Sequence, residues 1–355
     1  MDRDFAGCVC FAIPSRMFTK LVEKKRGKGA GQPHLKHAGH LRSLRYEAGQ
    51  SRIPAARSRQ AGRRIYDLAN SEKLPGRLVR TEGGKPSTDK AANQAFDNAG
   101  IALAFFKEVF GRKSIDGKGM TVVSAVHYST DFPNAMWNGK QMIYGDGDET
   151  VSGFTAALDI IAHELSHGVS QYLIPGGLGV VKVPVARRQF KEQRFALEGE
   201  SGALNESFCD VMGSLVKQWH AREKVDKADW LIGRKVLARG MGRAVRSLKS
   251  PGNERLTWRG DEQMRSMAQY YDGCDVHDAS GIPSHAFYQA ARRLGGYAWE
   301  HAGRIWFDAY AGLERDAKFS DFARATLAVA EKRHGRTSPE YKAVELAWKK
   351  VKVAT

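Results

Sequence analysis

The sequence predicts an α+β protein with a β-rich first half and a mainly helical second half, and three observations carry that reading. GMTVVSAVHYS, residues 119–129, alternates apolar and polar side chains with the period-two rhythm of a strand, and YGDGDE, residues 144–149, follows as a Gly/Asp loop. From TAALDIIAHELSHGVSQYL, residues 155–173, the rhythm changes: Leu158, Ile161, Ala162 and Leu165 recur at three and four, as on one face of a helix. A length of 355 residues with 42% hydrophobic and 10% aromatic content supports a sizeable core and two domains. No repeat at solenoid period is visible.

The N-terminal stretch has a different composition. VEKKRGKGAGQPHLKHAGH, residues 22–40, and SRIPAARSRQAGRR, residues 51–64, are basic and poor in large apolar residues, which sets a boundary near residue 62 and a flexible basic leader over 1–62. That leader holds thirteen Lys/Arg against four acids, a net of +9 within the chain's +17, so over half of the basic signal lies outside the predicted core. A specific nucleic-acid partner is therefore not expected. No run reaches the roughly eighteen apolar residues of a membrane helix, and the acids at the start of MDRDFAGCVCFAIPSRMF argue against a standard secretory signal. Either export by another route or a cytoplasmic precursor fits. Cys8, Cys10, Cys209 and Cys274 are too few and scattered for a disulfide scaffold.

The chemistry begins at His163-Glu164-x-x-His167. Residues four apart share a helix face, so the two imidazoles can converge on one ion, while Glu164, turned by about 100°, can reach a water on that ion without ligating it. Zinc suits this arrangement. The motif alone arises by chance in about two of a hundred unrelated chains of this length, so further residues must decide. GESGALNESFCD, residues 199–210, places Glu206 and Asp210 four apart on a predicted helix beside Asn205. A third ligand with groups that hold the imidazole N–H bonds would look like this, although acids at a helix start also read as capping.

HELSHGVSQY, GESGALNESFCDVMG, PNAMWNGKQMIYGDGDE and DGCDVHDASGI together resemble, in order, blocks of the thermolysin-like zinc metallopeptidases, over about residues 63–355. The resemblance implies a β-rich lobe over 63–168 that includes the His-Glu-x-x-His helix, a helical lobe over 169–355, and an active-site cleft between them. It implies zinc on His163, His167 and Glu206, with Glu164 as base and Asn205 and Asp210 orienting the histidines. His277 would stabilise the oxyanion, oriented by Asp272. Asn134 and the backbone of Ala135 would hold an extended peptide substrate, with Trp137 lining the cleft or filling the core, and Arg246 would grip a substrate carbonyl. CFAIPSRMFTKLVEK, residues 10–24, resembles the short propeptide of the protealysin branch, with Ser15 at the second proline. It implies a precursor whose own leader fills the cleft until proteolysis. A monomer is expected.

Departures from the pattern carry expectations of their own. His167 and Glu206 are 39 residues apart where relatives have about twenty; Arg187 stands at the usual distance and the nearest acids are Glu192 and Glu198. An inserted loop over about 174–198 accounts for this better than a displaced ligand, since surface loops lengthen at modest entropic cost. Leu197 stands where relatives carry an oxyanion-assisting tyrosine, a loss of roughly 100- to 1,000-fold in rate if nothing replaces it. Lys217, Leu231 and Arg234 occupy positions of calcium-ligating acids, although Asp159 and Asp229 remain, so the double calcium site is expected to be absent while calcium elsewhere stays open. The implied activity is zinc-assisted hydrolysis of peptide bonds. The alternative is a catalytically weakened, zinc-retaining peptide binder or inhibitor.

Overall fold

A computed structural model describes residues 11–26, 62–130, 132–183 and 194–355. Helix α1 (Ser15–Arg26) precedes a five-stranded mixed sheet built from β1 (Arg63–Asp67), β2 (Arg77–Thr81), β3 (Val122–Val126), β4 (Ala135–Trp137) and β5 (Met142–Tyr144). Its order is β2-β1-β3-β5-β4: β1–β3 and β3–β5 are parallel, and the two outer pairs are antiparallel. The short strand β4 is therefore the edge of this sheet, with backbone groups that can pair with an added extended segment.

The β-rich half also contains α2 (Lys90–Phe110), a helix the strand-oriented sequence reading passed over. Its signals are local. Asp89 caps it by accepting from Ala92 N at 2.6 Å, Gly111 ends it at φ 67°, and Ala92, Ala95, Ala99 and Ala102 form its buried stripe. The alanines let it lie close to β1 and to α3 (Leu158–Leu173), the helix that carries the His-Glu-x-x-His motif.

Helix α3 is buried continuously from Asp159 to Ser170 and packs most extensively against α4 (Gly199–Ala221). A Cβ at Gly213 of α4 would lie 2.6 Å from the carbonyl oxygen of Asp159, so this helix crossing needs glycine there. Between the two helices, β6 (Val180–Val183) and β7 (Arg194–Leu197) pair antiparallel, Val180 opposite Leu197. The expected insert is thus a hairpin stem at its described ends. Gly179 N donates to Arg315 O at 2.9 Å and Glu198 N to Gly179 O at 3.1 Å, which ties the stem to the start of α4.

Strands β8 (Leu231–Ile232) and β9 (Arg246–Ser247) pair beyond α4, followed by α5 (Val276–Ala279), α6 (Gly281–Leu294), α7 (Ala302–Ala311), α8 (Phe319–His334) and α9 (Pro339–Lys350). The helical half closes over aromatic side chains, with Trp306 and Trp348 stacked at 5.8 Å and Phe322 edge-on to both. No helix among the described residues is long and apolar enough to cross a membrane. The Cys8-x-Cys10 pair, most of the basic leader, and Arg187 and Glu192 lie outside the described residues.

Candidate active site

Helices α3 and α4 face each other and bring their motif residues to one buried point. The Nε2 atoms of His163 and His167 lie 3.2 Å apart, and the Glu206 carboxylate approaches the first at 3.5 Å and the second at 3.7 Å. Ligand atoms at about 2.05 Å from a tetrahedral ion are separated by roughly 3.3 Å, so this triangle has the size of a zinc coordination face. Both Glu206 oxygens are buried without a hydrogen-bond donor. Burial alone would raise the Glu206 carboxyl, but His277, His167 and His163 together hold it well below the usual carboxylate range. Burial likewise disfavours charge on His163, yet Asp210 and Glu206 push its pKa up to about 9. Such a site calls for a cation, and two imidazoles with one carboxylate fit zinc.

The far side of each imidazole is held. His163 Nδ1 lies 2.8 Å from Asp210 Oδ1, and His167 Nδ1 lies 3.0 Å from Asn205 Oδ1, with Cys209 Sγ 3.1 Å from the same nitrogen. Asp210 also takes a two-pronged bond from Arg246, Nε at 2.7 Å and Nη2 at 2.8 Å. Burial works to raise Asp210, and Arg246 with His163 outweighs it.

Glu164 is buried one step around α3. Its Oε1 comes within 4.0 Å of His163 Nε2, but its Oε2 accepts the backbone N–H of Trp137 at 2.9 Å, which aims it along β4. Glu164 can therefore be counted with the two histidines as a cluster, whereas Glu206 approaches both imidazoles more closely. Trp137 itself is buried, its indole N–H donating to Gln171 Oε1 at 3.0 Å, so its ring is core and its amide serves the site.

Asp272 was expected to orient His277; the carboxylate found beside the ring is that of Asp275, whose Oδ1 lies 2.9 Å from His277 Nδ1. The cause is the short helix α5: Asp275 caps it, accepting from His277 N at 2.8 Å, and the same oxygen meets the ring. The capping Asp two residues before the histidine was the available signal. His277 Nε2 points inward, 3.6 Å from Glu206 Oε2. Leu197, buried at the end of the hairpin stem, packs beside Gly202 and Val276 and offers no donor.

The cleft holds a segment of this same chain. Ala12 N donates to Ala135 O at 3.1 Å, extending edge strand β4, and Asn134 brackets Ile13, its Oδ1 accepting from Ile13 N and its Nδ2 donating to Ile13 O, each at 2.9 Å. Arg246 Nη1 donates to Ala12 O at 3.2 Å. Phe11 is buried edge-on to Phe132 at 5.9 Å. Helix α1 then docks by ion pairs, Arg16 to Asp278 at 2.8 Å and to Glu262, and Lys20 to Glu262 at 2.9 Å.

At the expected calcium position, Lys217 Nζ lies 2.8 Å from Asp229 Oδ1 and 3.3 Å from Asp159 Oδ2, and also donates to the Leu231 carbonyl. The ammonium bridges the two acids that remain.

Comparison with known proteins agrees with this arrangement. Residues 33–171 match the family model described as thermolysin metallopeptidase, catalytic domain, and residues 194–353 match the thermolysin metallopeptidase, alpha-helical domain. The chain is 37% identical to an extracellular metalloprotease of Pectobacterium carotovorum subsp. carotovorum, over 97% of this chain and 96% of that one. It is 40% identical to protease PrtS of Photorhabdus sp. (strain Az29), over 75% and 70% respectively. Its structure is similar to the precursor of protealysin, a metalloproteinase from Serratia proteamaculans, with a TM-score of 0.80 at 37% identity over 98% of this chain and 100% of that one. The chain accordingly belongs to the thermolysin metallopeptidase family, on its protealysin-like side, as a two-lobed zinc metalloendopeptidase made as a precursor with a propeptide.

Proposed function

We propose that His163, His167 and Glu206 hold the zinc ion, that Glu164 is the proton carrier, and that residues 11–14 occupy the line a substrate takes. The supporting observation is the triangle of two Nε2 atoms and one donor-less carboxylate at 3.2, 3.5 and 3.7 Å. An ion held by these three residues would supply Lewis acidity toward the scissile carbonyl and the attacking water. Glu164, aimed by the Trp137 amide, takes a proton from that water and delivers it to the departing amine. His277, steadied by Asp275, faces the developing oxyanion. Asn134 and Ala135 align the substrate as an added strand, and Arg246, braced by Asp210, holds a carbonyl beyond the cut.

The leader is read as an inhibitor in cis, released by cleavage within the basic stretch before residue 62. The peptidase lobes are read as 63–168 and 169–355, with the hairpin as an addition to the second. Lys217 is read as a replacement for the double calcium site, and an extracellular destination follows the naming of the Pectobacterium relative. A second reading, a zinc-bound peptide binder with weak turnover, draws on Leu197 and on the inserted hairpin. Casein cleavage by the processed protein separates the two. The peptidase reading expects activity that a zinc chelator abolishes and Glu164→Ala reduces by roughly 100- to 10,000-fold. Zinc retention without turnover favours the binder, and hydrolysis indifferent to both changes removes the mechanism.

A further inference from the structure

Far along the chain from the catalytic motifs, three helix ends bring a second set of metal-ligating side chains together. His301 precedes α7, His334 is the last residue of α8, and Glu340 lies in the first turn of α9. His301 Nδ1 is 3.1 Å from Glu340 Oε1 and His334 Nδ1 is 3.8 Å from the same oxygen, and one ligand atom from each residue falls within 4.8 Å of the others. We propose that His301, His334 and Glu340 form a second, surface site for a divalent transition ion of the zinc class.

The spacing brackets the roughly 3.3 Å between neighbouring ligands of a tetrahedral zinc, and the donor set, two imidazoles and a carboxylate, repeats that of the catalytic cluster. A single carboxylate oxygen addressed by two imidazoles from different helices is more than one ion pair requires. The backbone is positioned to keep the donors there. Gly335, at φ 89°, turns the chain immediately after His334, and Ser338 caps α9 by accepting from Tyr341 N at 3.1 Å, which fixes the turn that presents Glu340. Glu340 is partly covered, at 16% side-chain exposure, while His334 and His301, at 27% and 50%, are exposed residues and leave an approach for the ion and positions for water. Lys332 and Arg336 flank the site in sequence and oppose a cation, so affinity in the micromolar range is expected rather than the tighter hold of a closed structural site. Binding would link the ends of three helices of the second lobe.

The test counts zinc in the full-length chain carrying Glu164→Ala, so that self-digestion does not intrude. After equilibration at pH 8 with roughly 100 µM free Zn²⁺, two ions per chain are expected, falling to one in each of His301→Ala, His334→Ala and Glu340→Gln, with the second ion's affinity lowered roughly tenfold or more. Each variant is checked by circular dichroism, and His301→Ala, the most exposed change, guards against loss of folding. A stoichiometry that stays at one in the parent, or a second ion that persists unchanged in all three variants, overturns the proposal. Neither result bears on the catalytic reading, because the first ion and peptide hydrolysis depend on other residues.

Discussion

At the scale of single residues, the cleft is organised by side chains that hold other side chains. Asp210 serves two of them, His163 on one side and Arg246 on the other, and so couples the metal cluster to the group that meets Ala12 O. Asp275 serves His277 in the same manner, and the two nearby aspartates make opposite predictions. Asp275→Asn should lower kcat by about tenfold with little change in KM, a part of the roughly 100- to 1,000-fold that loss of an oxyanion donor costs, whereas Asp272→Asn should leave both near the parent values. Steady-state kinetics on a short peptide decides it; a loss in Asp272→Asn alone would restore the original expectation. Motif spacing made His163, Glu164 and His167 legible in the sequence, and the block resemblance around Glu206 singled it out in spite of its unusual distance from them. Spacing could not choose between Asp272 and Asp275, because both fall in one Gly/Asp turn and only the capping of α5 turns one of them toward the ring. The role of the Trp137 amide was invisible for a different reason: a backbone group has no residue-type signature.

At the scale of elements, the packing of α3 against α4 fixes the site, and its outer end is secured by a cation that belongs to the chain. Lys217 reaches from α4 to Asp159 at the start of α3 and to Asp229 beside β8. Burial would lower the lysine, but Asp159 and Asp229 raise it instead. Lys217→Met would leave two carboxylates facing each other, and a loss of about 3 kcal/mol in unfolding free energy is expected by urea denaturation. A change below about 0.5 kcal/mol would mean that the acids are solvated rather than paired. The sequence did signal this element, since a lysine cannot be an oxygen ligand, but not where its ammonium would go. Helix α2 shows the opposite case: its signals are an Ala-rich stripe with Asp89 and Gly111 as caps, and alanine spacing is a weaker periodic mark than the Val-rich strand pattern beside it. The hairpin of β6 and β7 was legible only as extra length, because Val180–Val183 and Arg194–Leu197 become strands through pairing with each other.

At the scale of the whole molecule, the leader and the peptidase lobes form one electrostatic unit in which part of the contact titrates near the middle of the pH range. Burial first and then Asp275 raise Asp278 to about 6, while Arg16 of α1 and His277 pull it down, and Asp261 adds a smaller push upward. With α1 docked, Arg16 favours the ionised form of Asp278, so the Arg16–Asp278 attraction is present only where that carboxyl is charged. That attraction contributes to binding above about 6 and is lost as pH falls through it. The advantage of a peptide of residues 11–26 over its Arg16→Ala form, as an inhibitor of the processed enzyme, should therefore be smaller at pH 5 than at pH 7.5. Asp278→Asn should flatten that dependence; an unchanged slope in the variant would assign the effect to another group.

The central claim is that α3 and α4 close three side chains around one zinc, and anomalous diffraction at the zinc edge from crystals of the zinc-loaded protein tests it most directly. The account predicts a strong peak at the buried cluster, bonded at about 2.0–2.2 Å by His163 Nε2, His167 Nε2 and a Glu206 oxygen, with Glu164 close but outside bonding distance. A peak that Glu206 does not reach, with Glu192, Glu198 or Glu164 in its place, would contradict it.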